Sequence, residues 1–156
     1  MPFKVQETIT VCLDYGERYK LPQGLVSSYG IDRQDHVALI PTGKHHDVPL
    51  EVVGFEGVAD QDIERQIAEL REAGRRPAIA EEFRAAAKVL LGTPREFSIS
   101  ADGTSFRHPH GRDDRFVFSL IRDDWPWREF AAWPNLRNKP GWRMLVAPLQ
   151  LAAKAA

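Results

Sequence analysis

Residues 60–92 read DQDIERQIAELREAGRRPAIAEEFRAAAKVLLG, and this stretch decides the fold. Ile63, Ile67 and Leu70 recur at helical spacing, so residues 60–73 read as a helix with one apolar stripe. Asp60 is the expected N-cap, and Asp62 and Glu64 place negative charge at the positive end of the helix dipole. Gly74 supplies a left-handed stop. A second helix is expected over residues 78–91, with Pro77 before its first turn and Glu81 and Glu82 inside it. Lys88 suits its negative end. Its stripe is Ile79, Phe83, Ala86, Ala87 and Leu90, and Gly92 and Pro94 end it. The link through Gly74, Arg75 and Arg76 is short enough to make the helices neighbours in space. Arg71, Arg75 and Arg76 then read as charges complementing a helix terminus.

Both flanks of this helix pair alternate with the period of strands. Between Gln6 and Tyr15, Ile9, Val11, Leu13 and Tyr15 point one way while Thr8, Thr10, Cys12 and Asp14 point the other. Val37 to Ile40 and Leu50 to Phe55 read as further strands, the first followed by a polar loop through Thr42, Lys44, His45, His46 and Asp47. Residues 16–35 read mostly as loop. After Pro94, Glu96 to Ser100 and Thr104 to His108 read as two strands joined by a tight turn at Asp102-Gly103. Arg115 to Arg122 is the strongest late strand, with apolar residues on both faces. Short strands are expected at Arg128 to Trp133 and Trp142 to Ala147.

The order of strands, helix pair and strands implies an α+β fold: an antiparallel sheet with a two-helix hairpin inserted between N-terminal and C-terminal strands. The chain of 156 residues reads as one domain, strand-rich over 1–57, helical over 58–92, strand-rich over 93–148, with a frayed tail over 149–156. A chain of this length buries roughly 70% of its unfolded surface and needs neither metal nor disulfide to fold. Cys12 is the single cysteine, which excludes an internal disulfide and fits a reducing compartment. No apolar run approaches the ~20 residues of a membrane span, and MPFKVQETIT lacks the form of a signal peptide, so a cytoplasmic location is expected.

The stretch Ala73-Gly74-Arg75-Arg76-Pro77-Ala78, then Glu82-Phe83, then Arg95-Glu96-Phe97, resembles a pattern in small uncharacterised bacterial proteins. Those carry an A-G-x-R-P-A helix link, an R-E-F-P segment and a Trp-rich C-terminal strand region. Their closing strand resembles R-F-L-A-V, where this chain has Arg143-Met144-Leu145-Val146-Ala147. The likeness spans residues 65–147. It implies a bacterial source and no known activity, so it carries no catalytic residue across.

All four tryptophans, Trp125, Trp127, Trp133 and Trp142, fall near the C-terminus among arginines and prolines. Trp133 and Trp142 flank strands and read as core. Trp125-Pro126-Trp127 follows Asp123-Asp124 and reads as a loop with exposed apolar surface. Together with Arg122 and Arg128 it forms an anchor of the kind that grips a protein partner. The first functional reading is therefore a small non-enzymatic, protein-binding regulatory accessory protein, inhibitor-like, from a bacterium, phage or mobile element.

Two alternatives follow from other residues. His108, His110, Asp113 and Asp114 offer imidazole and carboxylate ligands for a divalent metal, with His45, His46 and Asp47 available to complete the shell. A metal-dependent hydrolase or nuclease would use that ion to ionise a bound water. This reading requires the 42–47 and 107–114 segments to meet in space. The third reading is nucleic-acid binding through Arg122, Arg128, Arg137, Lys139 and Arg143, with bases stacked on tryptophan. The charge supports it weakly. Residues 1–78 hold nine Lys/Arg against thirteen Asp/Glu, and residues 79–156 hold twelve against nine. A net charge of −1 supplies no strong positive field. No cofactor is expected beyond the possible divalent ion. Cys12, inside a strand without a basic neighbour in sequence, reads as a buried structural thiol.

Overall fold

A computed structural model describes residues 3–15, 30–34, 45–56, 62–90, 92, 96–107, 115–120, 130–132 and 142–149. Ten elements are described: β1 (Phe3–Leu13), β2 (Gly30–Gln34), β3 (His46–Phe55), α1 (Ile63–Glu72), β4 (Arg75–Pro77), α2 (Ala80–Leu90), β5 (Ser98–Arg107), β6 (Arg115–Leu120), β7 (Phe130–Ala132) and β8 (Trp142–Pro148). The strands join in one sheet of order β1-β3-β8-β5-β6-β7, with β2 paired to β5 and β4 to β8. The fold is α+β, as the element order implies. The sheet, however, is mixed rather than antiparallel, because β5 and β8 run parallel, with Ser98 opposite Trp142 and Ser100 opposite Met144.

β8 is the hub. Val146 faces Glu51 of β3 and Pro77 of β4, and Met144 faces Val53 of β3 and Ser100 of β5. One edge of β8 is therefore taken by β3, and the other is shared end to end by β5 and β4. Its sequence, RMLVA, is apolar at successive positions because both faces are covered. Met144, Leu145, Val146 and Ala147 are all buried.

The two helices do not form a simple hairpin. The link Arg75-Arg76-Pro77 is itself a strand, antiparallel to Ala147 and its neighbours. Each helix serves a different face of the sheet. α2 lays Phe83, Ala86, Ala87 and Leu90 against Val11, Leu13, Val48, Leu50, Val52, Ile99, Phe118 and Leu120. The Phe83 and Phe118 rings stack 5.6 Å apart. α1 sets Leu70 against Phe3, Val53, Met144 and Val146 on the other face. Burying each large side chain of this kind contributes roughly 1.5–3 kcal/mol. The cap of α1 is Asp62, whose side chain accepts from the Arg65 N–H at 3.4 Å, not Asp60. Gly74 adopts φ +73 and ends the turn as expected.

Two bulges explain where the sequence period misleads. Val5 faces Val53 and Glu7 faces Val52, so Gln6 is an extra residue on β1. The phase flips there. Phe3 and Val5 pack on the α1 face, whereas Ile9, Val11 and Leu13 pack on the α2 face. In β5 the register with β6 jumps from Ala101–Phe118 to Ser105–Val117. The residues expected to make a tight turn, Asp102 and Gly103, thus lie inside one continuous strand. They bulge because α2 requires them: Gly103 N–H donates to the Ala78 carbonyl at 2.9 Å. A Cβ on Gly103 would sit 2.6 Å from the carbonyl oxygens of both Ala78 and Pro77.

Other expectations resolve as follows. β2 lies within the stretch read as loop. β6 is covered on both faces, with Phe118, Ser119 and Leu120 all buried. Cys12 is exposed rather than buried, since it points away from α2 between Thr10 and Asp14. Leu149 is held to the α1–β4 turn by its N–H, 2.9 Å from the Gly74 carbonyl. The Val37–Ile40 strand, Asp60 and residues 150–156 lie outside the described residues.

Candidate functional site

Among the described residues, the strongest concentration of buried charge sits where β4 passes into α2. Glu82 is in the first turn of α2 and wholly buried, and Arg76 of β4 is 2% exposed. The pair is bidentate: Arg76 Nη1 donates to Glu82 Oε1 at 2.7 Å and Nη2 to Oε2 at 2.9 Å. The Ile79 N–H adds a bond to Oε1 at 3.0 Å, which satisfies one of the open donors at the helix start. A second, the Ala80 N–H, donates to the Thr104 hydroxyl of β5 at 2.9 Å. Tyr15, two residues past β1, donates its hydroxyl to Glu82 Oε2 at 2.6 Å.

Each oxygen of Glu82 therefore accepts two hydrogen bonds, all from the protein. Burial pushes the Tyr15 phenol well above its ordinary value, and the Glu82 charge and hydrogen bond push it further. Burial alone opposes the Arg76 charge, but the bonds to Glu82, its charge and Tyr15 outweigh that and hold the guanidinium above its ordinary value. The cluster binds β1, β4 and α2 together. Four hydrogen bonds on one buried carboxylate make the cluster a clamp between these elements.

Arg75 points to the opposite face from Arg76. It makes an ion pair with Glu51 of β3 through Nε and Nη2, donates to the Ala73 carbonyl at 3.2 Å and lies 5.3 Å from the centre of the Phe3 ring. The hydrogen bond to Glu51 raises its pKa. Arg75 and Arg76 thus belong to a strand with separate partners, and Arg71 alone sits in the last turn of α1. Sequence reading set Glu82 in the first turn of the second helix and Tyr15 on one face of the first strand, and did not pair them. Glu82 at the third position of a helix carried a capping signal. Tyr15 lies 67 residues away and carried none.

Trp125, Trp127, Arg122 and Arg128 lie outside the described residues, in the connection from β6 to β7. His108, His110, Asp113 and Asp114 also lie outside them, in the connection from β5 to β6. Among the described residues, no three His, Cys, Asp or Glu side chains come together as metal ligands. His45 is exposed, and His46 opens β3 with its ring 6.1 Å from that of Tyr15. Trp142 is 7% exposed and belongs to the core, as expected.

Strand direction orders these connections. β3 and β6 begin, and β1, β5 and β8 finish, at one end of the sheet. The connections that enter β3 and join β5 to β6 start from that end, where β8 is flanked by β3 and β4 and the β5 residues beyond its bulge pair with β6 and β2. The connection from β6 to β7 starts from the opposite end. Among the described residues, no helix is long and apolar enough to cross a membrane. Comparison with protein-family models, with curated proteins and with solved structures finds no match.

Proposed function

We propose that this chain is a non-enzymatic binding protein that grips a protein partner through Trp125, Trp127, Arg122 and Arg128. The supporting observation is topological. The 121–129 connection joins β6 to β7, the last two strands of the sheet path. Helix α2 packs its apolar stripe on β1, β3, β5 and β6, and Trp142 already takes a core position. Indoles flanked by arginines in such a connection suit the anchor role. An accessory or inhibitory protein of a bacterium or phage fits this reading. The test compares partners captured from host extract by the wild type and by Trp125→Ala/Trp127→Ala. The expected result is loss of a specific partner while circular dichroism and melting temperature are retained. Equal capture by both proteins overturns the reading.

The second reading, a divalent-metal site built on His108, His110, Asp113 and Asp114 with His45 or His46, is favoured by one observation. The start of β3, the end of β5 and the start of β6, which flank these two segments, share one end of the sheet. Equilibrium dialysis with Zn²⁺ or Mn²⁺ decides it. Uptake by the wild type and loss in His108→Ala/His110→Ala is the expected outcome, and no uptake by the wild type removes the reading.

A further inference from the structure

β1 is the first strand of the sheet path, and among the described residues it pairs only with β3. Long edge strands invite further pairing, and proteins guard them with bulges and with lysine or proline on the edge. In β1 the guards are confined to one end. Lys4 is exposed and Gln6 is the bulged residue. Beyond the bulge, Glu7 to Leu13 runs in unbroken register from Val52 to His46. From Thr8 to Leu13 there is no charge, no proline and no glycine. Thr8, Thr10 and Cys12 are exposed on one face, and Ile9 is half-buried on the other.

We propose that two copies of this chain pair through β1, antiparallel about a two-fold axis at Thr10, so that one continuous sheet runs through a dimer. Thr10 is the midpoint of the seven-residue run Glu7 to Leu13. Pairing about it sets Thr10 opposite its own copy, Ile9 opposite Val11, Thr8 opposite Cys12 and Glu7 opposite Leu13. No like charges meet, the β-branched apolar pair shares the α2 face, and the hydroxyls share the outer face. The pairs at positions 8 to 12 are favourable cross-strand combinations, and Glu7 and Leu13 meet only at the two ends of the run. The bulge disfavours a register shifted toward the N-terminus. A two-fold axis at Thr8 would oppose Val5 and Val11, which lie on opposite faces. An isologous interface needs a self-complementary patch, and this run supplies one.

Sedimentation equilibrium and cross-linking test the proposal. Wild type is expected to run at twice its 17.7 kDa chain mass, and Thr10→Lys, which brings two ammonium groups face to face, at the single-chain mass with unchanged circular dichroism. In a Cys12→Ser background, Thr10→Cys is expected to form a disulfide dimer on oxidation, because directly opposed Cβ atoms lie about 4.5–5.5 Å apart. A Cys12→Ser, Thr8→Cys control, whose thiols are displaced from the axis, is expected to form little. A wild type that remains monomeric up to about 0.1 mM overturns the proposal. A Thr10→Lys protein that remains dimeric overturns it, as does equal cross-linking at positions 8 and 10. None of these outcomes depends on Trp125 or Trp127, so this test and that of partner capture fail separately.

Discussion

Glu82 is an acid with no exposed surface, stable there because Arg76, Tyr15 and the Ile79 amide surround it. Removing one member of a buried ion pair leaves the other charge without compensation, which costs roughly 3–5 kcal/mol. Glu82→Ala is expected to lower unfolding free energy by that amount in urea titrations. Arg76→Met/Glu82→Leu is expected to lose less than Glu82→Ala, because no charge is stranded. A Glu82→Ala loss below about 1 kcal/mol, the scale of an exposed pair, would refute the clamp. Tyr15 adds a pH dependence whose sign is fixed. Its folded-state pKa is raised, so the unfolded chain releases this proton first, near the ordinary phenol value of about 10. The contribution is complete below that pH and declines as pH rises beyond it. Urea midpoints between pH 8 and 11 are expected to fall more steeply for wild type than for Tyr15→Phe; parallel profiles would remove Tyr15 from the linkage.

At the scale of elements, the bulges test what sequence can announce. Asp102-Gly103 carries the composition of a hairpin turn, and local chemistry alone reads it so. What makes it a bulge is the docking of α2, through Gly103 N–H on the Ala78 carbonyl and Thr104 Oγ1 under the Ala80 N–H. That partner is more than twenty residues away and invisible to a local pattern. The glycine here answers to crowding by backbone. Gly103→Ala is therefore expected to cost about 1–3 kcal/mol, since two carbonyls must move. Gly54→Ala meets only side chains, Arg143 at 2.8 Å and Gln6 at 3.2 Å, and is expected to stay within about 1 kcal/mol of wild type. Equal losses in chemical denaturation would contradict this account. The helices, β1, β6, β8 and the Leu50–Phe55 half of β3 were legible because their periods serve one or two covered faces, whereas His46 and Asp47, read as loop, begin β3. The parallel pairing of β5 with β8, the flip at Gln6 and the strand character of Arg75–Pro77 were not, because each depends on a distant neighbour. The clamp was legible only in its Glu82 capping position, and the Trp125–Trp127 and His108–Asp114 proposals rest on sequence and connection alone.

Across the whole molecule, β8 joins the two halves. Residues 142–148 lie between β3, from the N-terminal half, and β5, from the C-terminal half, and carry β4 as well. Hydrogen exchange is expected to be slowest at the amides of β8 and the β3 and β5 residues paired to it, and faster at β7. A chain truncated after Gly141 is expected to lose cooperative unfolding altogether; a sharp thermal transition in that fragment would contradict the arrangement. The long separation of paired strands also places refolding in the slow range, milliseconds or longer, measurable by stopped-flow fluorescence. There is a consequence for how a cell makes this protein. A ribosome delivers the keystone strand after the other strands of the sheet, so the nascent chain must keep the undersides of β1, β3 and α2 from sticking elsewhere until that strand emerges. Biosynthesis, more than the finished molecule, is where this design is exposed to failure.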